Sequence, residues 1–344
     1  MNLRIAQLFA VDGMPDYQKF MEKNGIKATV TKTTALSEEA IISSAKDADA
    51  IIGVGSLQPY TRKVIESLKN CRFISSMGIG YDRIDMEAAS EKCIFVANVP
   101  DYCWEEVSDH VMALILTCTR RITQLNHEVK NGGWKKEPDP DIQKNIWPFM
   151  SRLRGQTLGI VGLGGVSRTM LPKAKGFGLK IIAHDPYLAS DAFKELGVEE
   201  AKELGQLLEQ SDIVALNTNL TPKTKHMIGA NELKKMKSTA CIVNAGRGPL
   251  IDSKALHSAL VNGEIAMAGL DVTEEEPVRM DDPLLKLDNA VVTAHSAHFS
   301  PTAWHGLISR PGEDLVQFFK KGEIPKGVLN PQIKEDHIKK WGKI

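Results

Sequence analysis

Short apolar runs alternate with helix-like segments along almost the whole chain, and this alternation restricts the fold more than any single residue. In the first hundred residues the runs are LRIAQLF (3–9), KATVT (27–31), DAIIGV (49–54), RFISSM (72–77) and CIFVA (93–97). Between them lie segments such as SEEAIISSAK and YTRKVIESLKN, whose apolar residues recur three and four apart, the helical period. Strands alternating with helices of this length predict a parallel sheet covered on both faces. An amphipathic helix is expected over roughly 105–123. It is followed by a polar stretch, NGGWKKEPDPDIQKNIWPF, which reads equally as a linker or as an arm packed on a neighbouring subunit. The pattern restarts near Gln156 with TLGIV (157–161), KIIAHD (180–185), DIVALN (212–217), ACIVNA (240–245), AMAGLDV (266–272) and AVVTAH (290–295). In DSKALHSALVNG, Asp252 suits an N-cap and Gly263 a C-cap. The expected architecture is α/β, with two doubly wound parallel-sheet domains. Ligands of such sheets sit at the carboxyl ends of the strands.

A length of 344 residues suits two domains. With 43 basic and 43 acidic residues the charge balances, so neither a nucleic-acid nor a membrane surface is expected. No apolar run approaches the roughly 20 residues that span a bilayer, and the N-terminus reads as a first buried strand, not a signal peptide. Five scattered cysteines, Cys71, Cys93, Cys103, Cys118 and Cys241, never fall in C-x-x-C spacing. That argues for a reducing, cytoplasmic compartment and against a disulfide framework or a metal site.

Two G-x-G sequences compete for a nucleotide: Gly78-Ile79-Gly80 after RFISSM, and Gly162-Leu163-Gly164 after TLGIV. Either alone is weak, because glycines also make plain tight turns. The second is followed by a segment able to form a helix and then by a strand ending in Asp185, 21 residues after Gly164. A carboxylate there is placed to accept from the adenosine ribose. It also repels a 2′-phosphate, and the next residues, Pro186 and Tyr187, are not basic, so NAD is expected over NADP. The third glycine of the fingerprint is replaced by Ser167, small enough for helix–strand packing to survive with a slight shift.

Three later segments each close a predicted strand with a polar or ionisable group: NAGRG (244–248), LDVTEEEP (270–277) and TAHSAH (293–298). Singly, each has an ordinary structural reading. Arg247 suits a glycine-flanked turn, Glu276 an acidic surface run, and His295 a hydrogen-bonded core histidine, with His298 a rival to it. Together they put an Arg, a Glu and a His at the sheet edge that holds the glycine loop. An Arg fork binds a carboxylate through two bonds and polarises a carbonyl. A His donates protons near neutrality. A carboxylate partner orients its ring.

These motifs, GIVGLG, AHDPY, NAGRGPLID, AGLDVTEEEP and NAVVTAHSA, in this order and spacing, resemble the D-isomer-specific 2-hydroxyacid dehydrogenase family. MGIGYDRIDMEAA and NVPDYCWEEVSDHVMALIL upstream, and FFKKGEIPKGVLNP downstream, extend the resemblance over nearly the whole chain. It implies a Rossmann-type NAD domain, 105–299, inserted in a flavodoxin-like substrate domain, 1–104 plus 300–344. It implies hydride transfer between NAD(H) and a small 2-hydroxy or 2-oxo acid, commonly in a homodimer. Carried over, the catalytic Arg, Glu and His are Arg247, Glu276 and His295. The cofactor contacts are Gly162, Leu163, Gly164, Gly165, Val166, Asp185, Asn217, Thr218, Ala245, Gly246, Asp271 and His295, with Asp271 at the nicotinamide amide. Met77, Gly78 and Ile79 match the loop whose backbone holds the substrate carboxylate, with Arg247 as its side-chain partner.

The chain departs from the family pattern at Gly165-Val166, at Ser167, at LNTNLT (216–221) with Asn217 and Asn219, and at Ala294 before the catalytic His. The departures bear on cofactor affinity, since Arg247, Glu276 and His295 all survive. Glu276 also argues against the formate dehydrogenase branch, which has Gln there. The alternative in this superfamily is an NAD(H)-sensing binding protein of the co-repressor type with little turnover. The substrate side chain is not legible. Leu57, Met77, Trp104 and Trp304 hint at an apolar or bulky one, as opposed to glyoxylate, while GSLQPYT (55–61) lacks the basic residue a phosphorylated acid wants. Tyr102 and Trp104 are candidates for specificity.

Overall fold

The structure is a computed structural model and describes residues 2–135, 139–342 and 344. Residues 136–138, inside the polar stretch expected as linker or arm, lie outside the described residues. The chain divides into two compact units, Met1–Tyr102 with Ser300–Ile344, and Cys103–Phe299.

The first unit holds strands β1 (Leu3–Gln7), β2 (Ala28–Lys32), β3 (Ala50–Gly53), β4 (Phe73–Ser76) and β5 (Phe95–Ala97). They form one parallel sheet in the order β2-β1-β3-β4-β5, the flavodoxin-like order. Two apolar layers cover it. Ile51, Ile74 and Val96 pack on one face with Ile41, Val64 and Ala88. Ile52, Phe73 and Phe95 pack on the other with Tyr17, Leu315 and Phe318.

The second unit holds β6 (Thr157–Val161), β7 (Lys180–His184), β8 (Glu199–Glu200), β9 (Ile213–Leu216), β10 (Cys241–Asn244), β11 (Met267–Leu270) and β12 (Ala290–Val292). Its seven-stranded sheet runs β12-β11-β10-β9-β6-β7-β8. Counted from β6 this is 3-2-1-4-5-6 with one more strand at the far edge, the Rossmann order. The two-residue edge strand β8 has no counterpart in the apolar pattern.

Capping chemistry sets several helix ends. Asp252 accepts from the Lys254 and Ala255 N–H groups and opens helix Ser253–Val261, which stops before Gly263 at φ +67°. The helix expected over 105–123 runs from Trp104 to Arg120 and breaks at Arg121, which takes φ +54°. There the guanidinium turns inward, with Nε donating to Phe149 O at 3.3 Å and Nη1 to Met267 Sδ at 2.9 Å, and a second helix, Ile122–Lys130, begins. Among the described residues no helix is long and apolar enough to cross a membrane.

Helix Trp104–Arg120 braces the glycine-loop helix, Gly165–Gly176. Gly165 lies so close to the Trp104 indole that a Cβ would fall 2.2 Å from it. Nearer its end, Lys173 Nζ meets Glu105 and Asp109, each at 2.7 Å. Gly165 thus owes its identity to packing against Trp104.

Candidate active site

The sheet of the second unit changes winding direction between β6 and β9, the point at which ligands of such sheets bind. The glycine loop leaves β6 here. Gly162 has φ +88°, and a Cβ on it would lie 2.8 Å from the Asn217 carbonyl oxygen and 3.0 Å from Thr218 Cα. Only glycine allows both that backbone angle and that approach. A Cβ on Gly164 would meet nothing within 4 Å. Its backbone borders open space at the start of helix Gly165–Gly176, which has no side-chain cap. First-turn N–H groups facing open space make an anion site.

Asp185 follows β7. It accepts from the Leu163 N–H at 2.9 Å and the Tyr187 N–H at 3.1 Å. A carboxylate has about four acceptor positions, so it retains capacity for a ribose hydroxyl. Ser167 is fully buried, yet its hydroxyl is used on both sides. Oγ donates to Gly162 O at 2.6 Å and accepts from Asn217 Nδ2 at 3.1 Å. The serine therefore ties the glycine loop to the loop after β9. Ala245 and Gly246 follow β10, where a Cβ on Gly246 would stand 3.2 Å from Leu216 O. A glycine turn, an uncapped helix start and an acid at the end of β7 fit a dinucleotide.

Arg247, Glu276 and His295 come from the ends of β10, β11 and β12. Arg247 is half-buried and its Nη1 donates to Gly246 O at 2.8 Å. Glu276 Oε2 lies 2.8 Å from His295 Nδ1, and its Oε1 accepts from the Thr273 N–H at 3.2 Å. Burial pushes the Glu276 carboxyl up. The hydrogen bond and charge of His295, then the Thr273 N–H and the Arg247 charge, outweigh burial and hold it below its ordinary value. An ionised Glu276 only accepts, so Nδ1 carries the hydrogen, and among the described residues Nε2 has no hydrogen-bond partner. His295 has φ +49°. His298 lies edge-on to it, ring centroids 6.0 Å apart; it is His295 that holds the Glu276 bond.

Asp271 explains the backbone at His295. Its side chain is fully buried and accepts from Thr293 Oγ1 at 2.6 Å, the Ser296 N–H at 3.0 Å and the Ala297 N–H at 2.9 Å. His110 Nε2 stands 3.3 Å away. The Asp271 carbonyl accepts from the His295 N–H at 2.8 Å. The carboxylate is thus spent on the loop that carries His295. Burial pushes its pKa up, but His110, Thr293 and the two N–H groups override this and hold it well below the usual range. A pKa below the unfolded value, about 4, contributes stability above that pH and loses it as pH falls. Asp271→Asn is therefore expected to cost about 1–3 kcal/mol near neutrality and to flatten the acid limb of stability. Thermal unfolding from about pH 7 down to about pH 3 checks this; an unchanged acid limb would contradict it.

His110 and Thr293 were not singled out by the sequence. Thr293 sits in TAHSAH, and His110 is a polar residue in a largely apolar helix, but their meeting with Asp271 depends on tertiary packing.

In the first unit, the loop after β4 carries Met77, Gly78 and Ile79. Met77 is buried in the core and its N–H donates to Gly53 O at 2.7 Å. Gly78 has φ +96°, and a Cβ on it would meet nothing within 4 Å. The carbonyls of Gly78 and Ile79 accept from the Val99 N–H at 3.0 Å and Asn98 Nδ2 at 2.7 Å. Among the described residues the N–H groups of Gly78 and Ile79 have no acceptor.

A family model for the NAD-binding domain of D-isomer specific 2-hydroxyacid dehydrogenases matches residues 112–297, more than half of the chain. The chain belongs to this family. The dehydrogenase is an NAD-dependent oxidoreductase acting on small 2-hydroxy or 2-oxo acids. It is 39% identical to a glyoxylate reductase of Korarchaeum cryptofilum over 86% of this chain and 87% of that one. It is 37% identical to a D-3-phosphoglycerate dehydrogenase of Methanocaldococcus jannaschii over 94% of this chain and 59% of that one. Among solved structures, a glyoxylate reductase from Paecilomyes thermophila superposes with a TM-score of 0.85 at 27% identity, covering 96% of this chain and 99% of that one.

Proposed function

We propose that this dehydrogenase reduces a short 2-oxo acid, glyoxylate before bulkier homologues, with His295 as proton donor. The observation that carries the reading is the 2.8 Å His295–Glu276 pair at the strand ends that also carry Arg247 and the glycine loop. When bound, the reduced nicotinamide supplies the hydride for C2 of the substrate. Arg247 grips the substrate carboxylate and polarises the 2-oxo group. His295 passes the proton on Nε2 to the oxygen as charge develops there, so the carbonyl gains a hydride and a proton and becomes a hydroxyl. Glu276, accepting from Nδ1, fixes the orientation of the ring.

Gly162, Leu163, Gly164, Gly165 and Val166 are the proposed pyrophosphate contacts and Asp185 the ribose contact. Asn217, Thr218, Ala245 and Gly246 complete the cofactor wall, with Asp271 acting from behind the His295 loop. The first unit is the proposed substrate domain, with the N–H groups of Gly78 and Ile79 as carboxylate donors.

Side-chain size and charge favour a short, unphosphorylated acid. Arg62, the basic residue next to GSLQPYT in sequence, already faces Glu66, Asp85, Glu87 and Glu91, and Arg83, which touches the segment in space, spends Nη1 on Leu57 O at 2.7 Å. Three of the four bulky residues also have structural employment: Met77 and Trp304 pack in the core of the first unit, and Trp104 against Gly165, while Leu57 is exposed. Relatives named glyoxylate reductase support the same choice. A cytoplasmic homodimer is further proposed. Five free thiols support the compartment, and the exposed Ile122, Val129, Trp134, Trp147 and Phe149 support contact with a second copy.

The test is NADH oxidation with glyoxylate, hydroxypyruvate, pyruvate and phenylpyruvate. The expected kcat/KM for glyoxylate or hydroxypyruvate exceeds that for phenylpyruvate by about tenfold or more. A preference for phenylpyruvate would overturn the short-acid reading. NADH binding without turnover on any of the four would turn the reading to an NAD(H)-sensing binding protein.

A further inference from the structure

His226 lies between β9 and β10 and has φ +53°, a left-handed angle for a residue with a Cβ. Such a conformation persists where contacts on both sides hold it. On the backbone side, its N–H donates to Pro249 O at 2.7 Å. The pairing continues through the Ile228 N–H to Leu250 O at 3.1 Å and an Ile228–Ile251 bridge. This fastens His226 to the segment that begins at Arg247. On the side-chain side, Nε2 lies 2.6 Å from Glu274 Oε1, while Glu274 Oε2 accepts from the Ser253 N–H at 3.1 Å. Burial raises the Glu274 pKa, but the His226 bond and the Ser253 N–H outweigh it and hold the carboxyl below its ordinary value. Glu274 is therefore an acceptor, and Nε2 of His226 is the donor.

Between these two attachments the segments touch directly. A Cβ on Gly248 would fall 1.8 Å from the Thr273 carbonyl oxygen and 2.6 Å from the Glu274 nitrogen. No side chain separates the Arg247 segment from the loop that leads to Glu276, so displacement of one is passed to the other. Both members of the His226–Glu274 pair are about one-third exposed, and ion pairs at such exposure add little to global stability.

We propose that His226 is a positioning residue, which through Glu274 clasps the Glu276 loop onto the Arg247 segment and so sets the geometry of the Glu276–His295 pair. The proposal rests on the catalytic roles given above to Arg247, Glu276 and His295. A small misplacement of a catalytic group costs far more in rate than in folding.

The experiment compares the wild-type protein with His226→Ala, His226→Gln, Glu274→Gln, the His226→Ala/Glu274→Gln double variant and His295→Asn. Each is assayed on the fastest of glyoxylate, hydroxypyruvate, pyruvate and phenylpyruvate, with NADH affinity from fluorescence and Tm recorded in parallel. The expected result for His226→Ala is a kcat about tenfold lower, with NADH affinity within about twofold and Tm within about 2 °C of wild type. His226→Gln, which can still donate to Glu274, restores much of the rate. The double variant is no slower than the slower single variant, because both break one clasp. Unchanged kcat in His226→Ala, losses that multiply in the double variant, or a rate loss matched by a fall in Tm would overturn the clasp. If His295→Asn is inactive while His226→Ala keeps full rate, the clasp alone fails. If His295→Asn keeps its rate, or the wild type turns over none of the four acids, the catalytic reading fails and takes the clasp with it.

Discussion

His295→Ala is expected to lower kcat by about three orders of magnitude, the middle of the range for loss of a positioned proton donor, while NADH binds nearly as before. Among the described residues the imidazole shares no hydrogen bond with the glycine loop. Its side-chain partner is Glu276 at 2.8 Å. Arg247→Ala is expected to match this in kcat/KM, because the guanidinium acts on the substrate in both the ground and transition states. Arg247→Lys rescues little, since an ammonium cannot reproduce the two-bond fork. Steady-state rates with fluorescence-detected NADH binding separate the two effects. Near-normal kcat in either alanine variant would remove that residue from its assigned role.

The glycine loop yields the second large effect, and its two glycines are expected to fail in different ways. Gly162→Ala places a Cβ 2.8 Å from Asn217 O at φ +88°, so it strains the backbone and forces two loops apart. NADH affinity is expected to fall about a hundredfold, together with a stability loss of about 1–3 kcal/mol. Gly164→Ala meets nothing within 4 Å and leaves the fold untouched. It instead puts a methyl group into the space before the helix N-terminus, and NADH affinity falls about tenfold or more at unchanged Tm. Calorimetric titration with NADH and thermal unfolding of both variants check this. Unchanged affinity in Gly164→Ala would mean that the pyrophosphate lies elsewhere.

The architecture was legible because strands buried on both faces leave continuous apolar runs. TLGIV coincides with β6 at both ends. β2, Ala28–Lys32, is as long as the run KATVT but shifted one residue on, while β1, Leu3–Gln7, is shorter than its run because burial continues at Leu8 past the strand end. AVVTAH reads as one strand to residue 295, whereas β12 stops at Val292. The reason is Asp271, which gathers Thr293, Ser296 and Ala297 and turns His295 into a left-handed angle. The helix break at Arg121 was hidden for a similar reason. Its guanidinium finds acceptors at Phe149 and Met267, far off in sequence.

Arg247, Glu276 and His295 were readable because each closes a strand on one sheet edge, where the fold class already expects ligands. The residues that hold them were not. His110, Thr293 and His226 are single polar positions whose partners lie 22 to 183 residues away along the chain. No local period signals such a meeting. Ser167 was legible as a departure from the fingerprint, but its hydrogen bonds to Gly162 and Asn217, which make it a tie between two loops, needed the packed sheet.

The most direct test of the central claim runs the reaction in the oxidative direction. NAD is mixed with D-lactate or D-glycerate in one set of cuvettes and with the L-isomers in another, and NADH appearance is followed. The account predicts NADH formation with a D-isomer and none with its L-counterpart, because a fixed His295 and a fixed nicotinamide face admit the hydrogen at C2 from one side only. Equal rates with both isomers, or oxidation of the L-isomer alone, would contradict it.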